Sequence, residues 1–143
     1  MSISAAPLDR GQVRVRRGLI VAGAAGAALV VWALVGPIGG TDIAVQSGGS
    51  VRHIGATAVA VTGILAGLAG WGLLAAFERT MKRPRRTWTV IAAVVFVLSL
   101  AGPLGATSAG AKAGLMSMHL IVAAVLIPSL PRAGGRARRR SVS

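Results

Sequence analysis

Proton transfer and metal binding call for His, carboxylates or Cys, and this chain holds few of them. It has two histidines, three carboxylates (Asp9, Asp42 and Glu78) and no cysteine. Without thiols, disulfides, thiolate metal sites and Cys nucleophiles drop out. One histidine, His119, stands inside an apolar stretch, seven residues beyond Lys112. An ionisable group in such a place is a functional candidate by default, because apolar surroundings tolerate it poorly. Lys112, Met116 and His119 follow at spacings of four and three, so they share one helical face. With Met118 adjacent, haem or copper has to be weighed. A haem needs a second axial ligand across from His119. His53 lies at the edge of an apolar stretch, and Met116 shares a helix with His119 and cannot reach the far face of an iron. No metal and no cofactor is therefore expected. A lone imidazole without a carboxylate partner is thin equipment for acid–base work, so no enzyme is expected either. Ion-coupled transport usually rests on an embedded Asp or Glu, and the apolar stretches contain none.

The elements that must position His119 are read from where charge is missing. Residues 18–41, 54–77, 87–111 and 113–131 carry no Asp, Glu, Lys or Arg over 24, 24, 25 and 19 positions. A bilayer core of about 30 Å takes roughly 20 apolar helical residues. Spanning segments must satisfy their own backbone hydrogen bonds, so they are helices. The expected fold class is all-α: a transmembrane up-down four-helix bundle, N-in and C-in. Its spans are placed at about 18–36, 54–77, 87–105 and 112–130. A basic arm, 1–17, precedes them and a basic tail, 132–143, follows. Pro37, Pro84, Pro103, Pro128 and Pro131 are read as the stops. Counting inward from the outer ends brings Thr62 and Ser99 to the depth of His119, about 10 Å below the boundary. Thr62, Ser99 and His119 are the candidate ligand-binding cluster, in the outer half of the bundle. The plainer reading is that His119 bonds one of the hydroxyls and fixes helix register.

The basic residues give the orientation. Fourteen of the sixteen Lys and Arg fall in the N-terminal arm, the middle loop and the C-terminal tail; Arg52 and Lys112 are the exceptions. The positive-inside rule puts those three segments in the cytoplasm, and the protein in the cytoplasmic membrane. Arg14, Arg16, Arg17, Arg83, Arg85, Arg86, Arg136, Arg138, Arg139 and Arg140 are then expected to meet anionic lipid headgroups. The net charge of +13 has that explanation, and nucleic acid is not an expected partner because no aromatic residues interleave the basic ones. Arg16-Arg17 before an apolar run also resembles an export signal, but the run is too long and Val35-Gly36-Pro37 offers no cleavage site.

Close packing in lipid relies on small residues. Ala56, Ala60, Gly63, Gly67 and Gly70 form one stripe on the second span; Gly110, Gly114 and Ser117 form another on the fourth, and Gly23 and Gly26 mark the first. Packing within the chain is favoured over a homo-oligomer seam, although another membrane protein or a second copy remains a possible partner. Trp32, Trp71 and Trp88 suit an aromatic belt. Glu78 can pair with Lys82 along its helix or with Arg17 across the bundle. The loop 36–53 offers a short extended segment and then a Gly/Ser turn, too small for a folded ectodomain.

Residues Leu68-Ala69-Gly70-Trp71-Gly72-Leu73-Leu74 leading to Glu78-Arg79, Trp88, Leu98-Ser99-Leu100-Ala101-Gly102-Pro103-Leu104, and Met118-His119-Leu120 through Pro128 carry a resemblance. The chain resembles an uncharacterised actinobacterial family of small four-span membrane proteins over most of residues 15–130. The resemblance implies four helices and a short external loop, and no activity. The expected role is that of a non-enzymatic accessory or interaction protein. A binder or transporter of a small apolar ligand is the alternative.

Overall fold

The computed structural model describes residues 9–134. Its elements are α1 (Arg10–Val35), β1 (Ala44–Ser47), β2 (Ser50–His53), α2 (Ala56–Thr80), α3 (Pro84–Ser99), α4 (Ala101–Leu104) and α5 (Ala109–Gly134). Four helical segments, Arg10–Val35, Ala56–Thr80, Pro84–Leu104 and Ala109–Ala133, are long and apolar enough to cross a membrane.

Helix ends follow caps and prolines more than they follow charge. α1 begins eight residues before the charge-free stretch, because the Asp9 carboxylate accepts the Gln12 N–H at 2.7 Å and satisfies one of the orphan donors of the first turn. Half of the expected basic arm is therefore helix. Pro84, expected to interrupt the loop, instead opens α3 at its first turn. Its missing N–H costs nothing there and its fixed φ suits the helix. At the other end Pro103 has no N–H to offer the Ser99 carbonyl, and the chain turns through α4.

The expected stop at Pro128 and Pro131 is a miss. α5 runs through both. Pro131 leaves the Ile127 carbonyl without its helical donor, and the Trp88 indole N–H of α3 donates to that oxygen at 3.1 Å. A neighbouring helix thus supplies what the proline withholds, as membrane bundles allow.

α1 lies against α2 and α5 along much of its length, and α3 lies against the same two helices on their other side. Two groups of buried side chains hold the bundle. Val21, Ala24, Leu74, Trp88, Leu126 and Leu130 form one. Ala28, Ile43, Val59, Leu115 and Met118 form the other, toward the hairpin. Outward positions are also apolar: Val61, Leu65 and Leu68 of α2 and Val90, Val94, Val97 and Leu98 of α3 are exposed. An apolar exterior on a packed helix is what lipid, not water, would favour.

The loop after α1 is more ordered than its composition announces. β1 and β2 pair antiparallel, with Ser47 opposite Ser50. Gly48 and Gly49 take φ of 58° and 83°, the pair of positive angles that a two-residue hairpin turn demands. β1 also reaches the segment after α4: the Gln46 N–H donates to the Gly105 carbonyl at 2.9 Å, and the Thr107 N–H to the Ala44 carbonyl at 3.0 Å. The Trp32 indole donates to the Ile54 carbonyl at 2.7 Å. The hairpin is thereby tied to α1, to the start of α2 and to the approach to α5, and it closes one end of the bundle.

Candidate functional site

A cleft of about 620 Å³ runs between α2, α3 and α5, with Ala28 of α1 at its back. Volumes of roughly 300–1,000 Å³ are usual for small-molecule sites. On α2 its lining extends from Ala58 to Leu73, a helical rise of roughly 22 Å. It is long and unfilled for a local reason. α2 turns Ala58, Thr62, Ala66 and Ala69 toward it at spacings of four, four and three, while α3 gives Ala92 and α5 gives Ala123. These side chains are too short to fill the space between three helix axes, which sit about 8–10 Å apart in close packing. Trp88, Leu126 and Ile127 close the end away from the hairpin.

Thr62, Ser99 and His119 all line this one cleft, toward its hairpin end. The structure brings the three together without bonding them to one another. The expectation that His119 bonds one of the two hydroxyls is overturned: its Nδ1 lies 2.8 Å from the Leu115 carbonyl of its own helix. The Ser99 hydroxyl likewise donates to the Phe96 carbonyl at 2.7 Å. Helix geometry explains both, since the carbonyl one turn back is always within reach of a short polar side chain. A carbonyl can only accept, so the His119 Nδ1 carries the proton, and in a neutral ring Nε2 keeps a lone pair. Thr62 is exposed along the cleft. All other lining side chains are apolar. Among the described residues there is no group of three or more His, Asp or Glu that could hold a metal ion.

The small-residue stripe of α2 lies on the adjacent face: Gly63 and Gly67 receive α1, while Gly63 and Gly70 also border the cleft. A Cβ added at Gly63 would lie 3.3 Å from Ala25, and one at Gly67 would lie 2.6 Å from a Val21 methyl. A Cβ added at Gly70 would lie 3.0 Å from the Trp88 ring, while Ala56 and Ala60 are half-buried. On α5, Gly114 meets Val35 and Gly110 meets Thr41. Gly23 and Gly26 depart from the expectation: nothing lies within 4 Å of either added Cβ. Ser117 is exposed. Trp88 is no belt residue, being buried at 4% exposure. Its ring lies between α2 and α5, where its N–H has a partner and an interfacial position would leave the Ile127 carbonyl without one.

Arg17 is also displaced from its expected role. It is buried and its guanidinium bonds Glu78, joining α1 to α2. A side chain committed in this way is not free to meet lipid headgroups. Arg14, Arg16, Arg83, Arg85 and Arg86 are exposed; Arg136, Arg138, Arg139 and Arg140 lie outside the described residues. Near the hairpin, His53 Nδ1 and Asp42 Oδ1 are 2.8 Å apart, with both side chains about 70% exposed. Such a surface pair contributes about 1 kcal/mol or less.

Sequence reasoning missed the apolar length of the cleft. The signal was the second small-residue stripe on α2, Ala58, Thr62, Ala66 and Ala69, beside the glycine stripe. Over residues 8–136 the chain matches a family of unknown function (DUF6069), and it belongs to that family. No curated protein and no solved structure matches it.

Proposed function

We propose that this protein is a multi-pass protein of the cytoplasmic membrane that holds an apolar, lipid-soluble molecule in the cleft between α2, α3 and α5. In this reading the bundle is up-down, with both termini and the α2–α3 connection in the cytoplasm and the hairpin outside. The observation that carries it is the cleft itself. It is long, apolar and set among the helices that are long enough to span a bilayer, so its natural occupants are molecules already dissolved in lipid. The three polar side chains near the hairpin supply orientation without a charge. The role is binding or transfer, with no bond made or broken, since one imidazole without a carboxylate neighbour does little acid–base work.

A second reading rests on a different observation. Arg14, Arg16, Arg83, Arg85 and Arg86 form an exposed basic surface at the end away from the hairpin. On that reading the surface meets anionic headgroups or an acidic partner, and the protein is an accessory subunit.

Native mass spectrometry on protein taken gently from its host membrane separates the two. A bound mass of roughly a few hundred daltons, as such a volume admits, is expected from the cleft reading. A bare chain, with binding to anionic vesicles lost on replacing the exposed arginines, would favour the second. Orientation has its own test. The chain has no cysteine, so a thiol introduced at Ser50 or at Lys82 is unique. An impermeant reagent outside intact cells is expected to label the first and spare the second; the reverse pattern would invert the topology.

A further inference from the structure

We propose that the occupant of the cleft is a single apolar chain ended by a hydroxyl, with the hydroxyl set between His119 and Thr62 and the chain running toward Trp88. This rests on the reading of the cleft as a ligand site.

The hydrogen-bonding inventory defines the head. His119 Nδ1 is committed to the Leu115 carbonyl, so Nε2 of the neutral ring is an acceptor. The Ser99 hydroxyl has given its proton to the Phe96 carbonyl and can only accept from a ligand. Thr62 has no hydrogen bond to another described residue and can both give and accept. A hydroxyl fits this set: it donates to Nε2 and accepts from Thr62. An ether or ketone has no proton for Nε2. An ionised carboxylate would set its charge against two lone pairs with no cation lining the cleft.

The remainder of the cleft defines the tail. Past Thr62 the lining includes Ala66, Ala69, Ala92, Leu126 and the Trp88 ring, and no side chain along it offers a free polar partner to a second functional group. From Thr62 to Leu73 the helix rises about 16 Å. An extended chain advances roughly 1.2 Å per bond, so this length takes about a dozen carbons.

The test uses the full chain in lipid nanodiscs and the Trp88 emission. Probes are ω-bromododecanol, its methyl ether and ω-bromododecanoate, each carrying the quenching bromine at the tail. The alcohol is expected to quench saturably, and Trp88→Phe to remove the saturable part. The ether and the carboxylate are expected to bind roughly tenfold more weakly, the value of one hydrogen bond. His119→Phe is expected to weaken the alcohol by a similar factor and erase its advantage over the ether, while His119→Gln, which returns an acceptor, keeps part of it. Equal saturable quenching by alcohol and ether in the unsubstituted protein, or tighter carboxylate binding, would overturn the hydroxyl assignment and leave the cleft reading standing. Absence of saturable quenching by any probe would overturn both. The comparison of probes on the unsubstituted chain decides the matter even if a His119 variant fails to fold.

Discussion

The bond from Trp88 to the Ile127 carbonyl is the best place to test how this bundle is built, because its cause is chemical and removable. Pro131 has no N–H, so the Ile127 oxygen lacks its helical donor, and the Trp88 indole fills that position at 3.1 Å. Trp88→Phe deletes the donor and part of a ring that is 4% exposed. Stranding a buried carbonyl costs about 1 kcal/mol or somewhat more, and the lost ring volume adds of order 1 kcal/mol more. Pro131→Ala returns a backbone N–H to the same oxygen. In that background Trp88→Phe still loses ring volume, but the carbonyl is no longer stranded. The two effects of Trp88→Phe therefore separate in a double-mutant cycle, in which the volume term cancels and the hydrogen-bond term survives. The coupling is expected to be about 0.6–1.5 kcal/mol, its lower end being the mean found for side-chain hydrogen bonds inside membrane bundles. Its sign is fixed: Trp88→Phe must be milder beside Pro131→Ala than alone. Reversible unfolding of the four proteins in mixed micelles, driven by rising denaturing detergent, reads it. Additivity within about 0.3 kcal/mol would refute the argument that the indole substitutes for the proline's missing donor.

Other positions give sharper contrasts than absolute values. Gly67→Ala places a methyl 2.6 Å from Val21 and is expected to cost about 1–3 kcal/mol by the same unfolding assay; Gly72→Ala, with nothing within 4 Å, is expected to cost nothing measurable. If the two were equal, α2 would not pack on α1 through this stripe. Glu78→Gln strands Arg17, the buried member of its pair, whereas Arg17→Met strands a carboxylate that is 35% exposed. Glu78→Gln is therefore expected to be the more destabilising, by about 1–2 kcal/mol, under the 3–5 kcal/mol of a fully buried pair; the opposite order would mean that Arg17 reaches solvent or headgroups. Gly49→Val forces a β-branched side chain to a φ of 83° and is expected to unfold the hairpin locally at a cost of about 1–2 kcal/mol, which faster hydrogen exchange of the β1 and β2 amides would show.

Much of the architecture was legible in the residues, and the reason is that lipid punishes misplaced charge one residue at a time. The absence of Asp, Glu, Lys and Arg from four stretches marks four helices before any contact is known, and four apolar helices of that length are present. The same counting brought Thr62, Ser99 and His119 to one depth, and all three line one cleft. Depth is a one-dimensional quantity that rises by a fixed 1.5 Å per residue, so a sequence can carry it.

What the sequence could not carry was anything that depends on which side of a helix meets which neighbour. Every span here is apolar all round, so no hydrophobic face announces the core. Only the packed bundle shows that Gly63 and Gly67 receive α1, while Ala58, Thr62 and Ala66, on the adjacent face of the same helix, are left to line an unfilled cleft. Arg17 could be read both as a headgroup arginine and as a partner for Glu78, and only the packing of α1 on α2 decided for the partner, sixty-one positions away. Pro128 and Pro131 looked like stops because a sequence shows the donor a proline lacks and not the indole of another helix that replaces it. Composition and spacing decided how many helices there are, how long they are and at what depth the polar groups sit; the tertiary structure decided which faces touch, and so where the space for a ligand is.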